Sequence, residues 1–143
     1  MAHSIADELK SLHTAAIDAR HGYEEGLKDA GGKGMTPLFQ EMIAVHTKNA
    51  NALAGELQKA GEQADDNGSF MSTVQRTAMG VRSMFGGLDE SVIPGLIDEE
   101  KRNVSHYDNV LEMADLPPSV RAVVVRNGDR LEDAIGKMQV LKS

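Results

Sequence analysis

Apolar residues recur at steps of three and four along most of the chain, and each long run carries a polar residue in or beside it near its middle. From Ser4 to Ala30 the apolar positions are Ile5, Leu9, Leu12, Ala16, Ala19, Tyr23, Leu27 and Ala30, the stripe of a helix with a heptad-like seam. Ser4 is placed to cap its start, Asp7 and Glu8 suit the positive end of the helix dipole, and Gly31-Gly32-Lys33-Gly34 ends it. Thr36-Pro37 reads as the N-cap and first position of a second helix. Its stripe is Leu38, Met42, Val45, Asn49, Leu53 (or Ala52), Leu57 and Ala60, and Gly61 stops it.

A polar, turn-rich stretch, EQADDNGS, leads into a shorter helix over Phe70–Phe85, with Phe70, Val74, Ala78, Val81 and Phe85 on one side. Asp89 or Ser91 opens the third long helix, whose stripe is Leu96/Ile97, Val104, Tyr107, Leu111 and Ala114. Pro94 would break a helix interior, so the regular helix begins close to it or a short turn precedes it. Leu116-Pro117-Pro118 closes that segment and Ser119 can cap the last helix. The last helix runs over Val120–Leu141 with Val120, Val124, Asn127, Leu131, Ala134, Met138 and Leu141 facing in. No useful period-two alternation occurs. The chain reads as all-α: an up-down four-helix bundle with an additional short helix in the crossing between the second and third long helices, forming one domain over 1–143.

Glu100 occupies a slot of the third stripe that an apolar residue should fill. Arg20 flanks the first seam at a similar height, and Asn49 and Asn127 sit within the second and last stripes. A lone carboxylate in a core costs several kcal/mol or takes up a proton, so it needs a partner. The pattern predicts one polar layer of Arg20, Asn49, Glu100 and Asn127, with Arg20 paired to Glu100 and the two asparagines completing the hydrogen bonds. The competing reading lets Glu100 reach solvent where the stripe rotates.

Composition narrows the function classes. Net charge is −7, with 15 Lys and Arg against 22 Asp and Glu and no basic cluster, which argues against a nucleic-acid partner. No apolar run approaches a membrane span, no leader pattern is present and Cys is absent, so the chain reads as cytoplasmic, with no thiolate chemistry. Only 3% of residues are aromatic but eight are Met, which suits a core of packed helices. Met71, Met79 and Met84 could offer an adaptable partner surface, though filling the core is the simpler role.

Catalytic motifs are missing. There is no Gly-x-Ser-x-Gly, and the glycine run at 31–34 follows a helix rather than a strand. A carboxylate-bridged di-metal site needs Glu-x-x-His on two helices, and no such spacing occurs. Glu41 and His46 stand five apart, about 140° around a helix, so they cannot both face one ion. The five histidines (His3, His13, His21, His46 and His106) read as solvated or half-buried.

The pieces HGYEEGLKDA, PLFQEMIAVHT, EQADDNGSF and ADLPPSVRAVVVRN resemble a bacterial family of ferritin-like bundles known as a domain of unknown function, DUF2383. The resemblance runs from about Ile5 to Leu141, with Leu116 to Arg121 as its most specific marker. It implies a ferritin-like fold and, in many members, inward carboxylates and a His reminiscent of a di-metal site. On that pattern the first carboxylate position holds Arg20, the second falls near Val45 and His46, the third keeps Glu100, and the last His position holds Ile135. One ligand of the set remains, which argues against an intact metal site.

Three readings follow. The first is a non-enzymatic bundle, stress-related by its relatives, that acts through a protein partner and is a homodimer by fold analogy, with no cofactor. The second is a di-iron or di-manganese carboxylate protein with oxidoreductase or storage activity, its ligands drawn from Glu24, Glu41, His46 and Glu100. The third is a small-ligand carrier with a cavity between its helices.

Overall fold

The computed structural model describes residues 4–28, 35–62 and 92–142. They form four helices, α1 (Ile5–Lys28), α2 (Thr36–Lys59), α3 (Ile93–Leu111) and α4 (Pro118–Lys142), with no strand among the described residues. The short helix expected over Phe70–Phe85, with Met71, Met79 and Met84, lies outside the described residues.

Local chemistry accounts for the helix ends. At the start of α1 the Asp7 amide donates to Ser4 Oγ at 3.0 Å, and the Ser4 amide reaches Asp7 Oδ2 at 3.4 Å. This reciprocal capping satisfies two otherwise free amides. At the end of α2, Gly61 adopts φ +77°, and the amides of Glu62 and Gly61 donate to the carbonyls of Leu57 and Gln58. That closure needs a left-handed residue, which glycine provides at least cost. Pro94 falls within the first turn of α3, where its missing amide proton has no partner to lose. Two expected caps differ. Met35, not Thr36, is the N-cap of α2, and it makes no side-chain cap bond. Helix α4 begins at Pro118, and Ser119 instead donates to Glu56 Oε1 at 2.9 Å, tying the start of α4 to the end of α2.

The packing has two apolar ends. One cluster joins Tyr23, Met35, Leu38, Phe39, Met42, Ile93, Leu96, Ile97, Ile135 and Met138. The other joins Leu9, Leu12, Leu53, Leu57, Tyr107, Val110, Leu116, Val120, Val124 and Leu131. The end of α1, the starts of α2 and α3 and the end of α4 therefore share one end of the bundle. Helices α2 and α3 run in the same direction, α1 and α4 in the opposite one, and the connection from α2 to α3 links opposite ends. Packing is most extensive within the α1–α2 and α3–α4 pairs, and the pairs meet along α2–α4 and α1–α3. Ala16 and Ala50 let α1 and α2 approach closely beside Ile17. Leu141, expected inside, is 51% exposed, because the stripe of α4 ends at Met138.

A buried polar layer as candidate functional site

Between the two apolar ends lie two groups of buried polar side chains, one turn of α2 apart at His46 and Asn49. Each is brought together by three or more helical positions.

The first group centres on Glu100, which is 1% exposed. Tyr23 of α1 donates its hydroxyl to Glu100 Oε2 at 2.6 Å, and His46 Nε2 of α2 meets the same oxygen at 2.9 Å. Asn103, one turn along α3, donates to Oε1 at 2.9 Å. An ionised carboxylate can only accept, so His46 carries its proton on Nε2. Packing fixes the donors in turn. The Tyr23 ring meets Phe39 edge-on at 5.5 Å and lies nearly parallel to the His46 ring at 5.8 Å. Burial alone would raise the Glu100 pKa, but the charge and hydrogen bond of His46, with the bonds from Tyr23 and Asn103, outweigh it. The carboxyl is held below its ordinary value. The Tyr23 hydroxyl is pushed well above its usual range by burial, then by the negative Glu100 beside it.

The second group joins α2 to α4. Asn127 Nδ2 donates to the Asn49 carbonyl at 3.1 Å and to the Tyr107 hydroxyl at 3.3 Å, while Asn49 Nδ2 returns a bond to the Asn127 carbonyl at 3.4 Å. Arg130 Nη1 then donates to both amide oxygens, at 3.2 Å to Asn49 and 2.9 Å to Asn127. Both asparagines are essentially inaccessible. Burial pushes the Tyr107 hydroxyl up to about 12, against the bonds from the two amides.

The structure thus redistributes the predicted layer. Glu100, Asn49 and Asn127 are all buried, and the reading in which Glu100 reaches solvent does not hold. Arg20 does not pair with Glu100. His46 and Tyr23 take that place, and the Arg20 Nε atom is buried with no hydrogen-bond partner among the described residues. The asparagines do not serve Glu100 either; they bond to each other and to Arg130. His46 and His13 are 2% exposed, which corrects the expectation of solvated or half-buried histidines. The sequence offers His46 only as an alternative metal ligand, and it does not single out Tyr23, Asn103 or Arg130 as members of a polar cluster. His46 stands next to Val45, which completes the stripe without it, yet it falls four residues after Met42 and seven after Phe39, on the buried face. Along its stripe Tyr23 reads as apolar filling, Asn103 lies off the α3 stripe and Arg130 off the α4 stripe.

The alternative metal ligands do not converge. Glu24 pairs with His21 Nδ1 at 3.1 Å, and Glu41 pairs with Lys137 across to α4. Only His46 and Glu100 meet, and the Glu100 oxygens already accept three donors. No group of three His, Cys, Asp or Glu side chains among the described residues could hold a metal. These residues do not fit a di-metal centre. Beside the site is a cavity of about 10 Å³ lined by Leu12, Ala15, Ala16, His46, Asn103, His106, Tyr107 and Leu131, room for about one water.

A family model for a domain of unknown function, DUF2383, matches residues 4–113. The chain belongs to the DUF2383 family. The matched segment carries α1, α2 and α3, and with them Tyr23, His46, Asn49, Glu100, Asn103 and Tyr107. It stops before Leu116–Arg121, and before Asn127 and Arg130 of α4. No curated protein and no solved structure matches the chain. No helix among the described residues is long and apolar enough to cross a membrane.

Proposed function

We propose that this DUF2383 protein is a non-catalytic helical bundle that works as a binding module, with the Tyr23–His46–Glu100–Asn103 cluster serving architecture rather than turnover. The observation that carries the reading is the closure of Glu100, whose two oxygens accept three protein donors at 1% exposure. A catalytic carboxylate has to reach a substrate, whereas Glu100 is 1% exposed, and the cavity that its partners His46 and Asn103 line among the described residues holds about one water. The cysteine-free composition and the acidic surface suit a reducing cytoplasmic setting and a partner that is not nucleic acid.

Metal analysis of protein purified without chelators, wild type beside Glu100→Gln, tests this. Equal, substoichiometric metal in both is expected. Near-stoichiometric iron, manganese or zinc that disappears in Glu100→Gln would overturn the reading in favour of a metal-dependent oxidoreductase or storage protein.

A further inference from the structure

We propose that the groove between α2 and α4 is a binding site for a small organic anion, a carboxylate or phosphate on a short apolar body, with Arg130 as its anchor. This deepens the binding-module reading and rests on it. The groove has a volume of about 270 Å³, just under the ~300 Å³ lower end of drug-sized sites, so it suits a metabolite-sized ligand. Ala44, Val45 and Ala134 provide small apolar walls, and Lys48, Lys137 and Arg130 set three cations against the carboxylates of Glu41 and Asp133. Glu41 is already held by Lys137.

Arg130 distinguishes this groove from an ordinary charged surface. Its Nη1 is fixed by the oxygens of two inaccessible asparagines from opposite helices, so the guanidinium is oriented before any ligand arrives. Its Nε and Nη2 make no hydrogen bond among the described residues. A guanidinium anchored at one nitrogen, with donors left over and lining a groove, is suited to charge-assisted recognition of an oxyanion. Little rotamer entropy remains to be lost on binding.

Titration of the full chain with hexanoate, inorganic phosphate and hexylammonium, followed by the Arg130 Nε–H and Ala44 resonances in NMR spectra, tests the assignment. Saturable shifts with hexanoate or phosphate, and none with hexylammonium, support it, and the tighter probe identifies the head group. Arg130→Lys, which keeps the charge but loses the fork, should weaken binding about tenfold or more. Ala44→Phe should block the groove while leaving both asparagines in place, so a folding defect at Arg130 does not leave the question open. No saturation by either anion at ~50 mM, far above a millimolar dissociation constant, overturns the proposal, as does equal binding of hexylammonium. The metal analysis judges the binding-module reading separately. Metal-free protein that binds neither anion would sink only this assignment.

Discussion

The Glu100 cluster and the asparagine cluster lie side by side in one core and solve the problem of buried polarity differently. Around Glu100 a buried carboxylate is satisfied by three donors, and both Glu100 and His46 are removed from water. Around Asn49 and Asn127 only neutral amides are deeply buried, and the one charge, Arg130, stays half-exposed at the groove. A buried ion pair contributes little net stability when intact but is costly to break, because the surviving charge has no water to turn to. Amide pairs carry a smaller desolvation cost, so losing one member should be milder. The first cluster therefore fixes which helix faces meet, while the second links α2 to α4 and leaves a cation facing solvent.

The largest effect should come from His46→Leu, which strands Glu100. Chemical denaturation should show a loss of about 3–5 kcal/mol, and the double variant His46→Leu/Glu100→Leu should recover most of it. A single-variant loss within ~0.5 kcal/mol, the level of a surface change, would show that the pair is not buried in solution. Asn127→Ala should cost less, about 1–3 kcal/mol, because it leaves the Tyr107 hydroxyl and the Asn49 carbonyl short of a donor without stranding a charge. If it proved the more damaging of the two, the ranking of the clusters would be reversed.

A smaller effect separates the clusters by pH. Glu100 has its folded pKa below the ordinary 4.5, so the unfolded chain binds more protons in the window beneath that value. The contribution of Glu100 is complete above 4.5 and is lost as pH falls through the lowered folded value. Stability measured across that acid range should fall in the wild type and in Asn127→Ala alike, and fall less in Glu100→Gln. An unchanged acid slope in Glu100→Gln would assign the acid sensitivity to other carboxylates.

Much of the fold was legible along the chain. The four stripes lead to four helices, Gly61 stops α2 as its position suggests, and Pro94 falls in a first turn. The polar interruptions at Asn49, Glu100 and Asn127 marked buried positions, because each sits on the apolar face of its own helix. Partner choice was not legible. A stripe gives the angle of a residue about its own helix, whereas a contact depends on the rotation and height of a second helix. Arg20 and Tyr23 are neighbouring candidates on one helix with similar claims on Glu100, and about 60° around the helix and about 4.5 Å along it separate the wrong partner from the right one.

The sequence by itself determined an all-helical bundle with polar residues in its core, because helical periodicity and end signals are local and each residue carries its own share of them. Only the tertiary structure decided that Glu100 belongs to Tyr23, His46 and Asn103, that Arg20 is left aside, and that Arg130 is held at a groove between α2 and α4. Those outcomes depend on distances between helices remote in sequence, and the physical rule that a buried charge must be satisfied says that a partner exists without saying which.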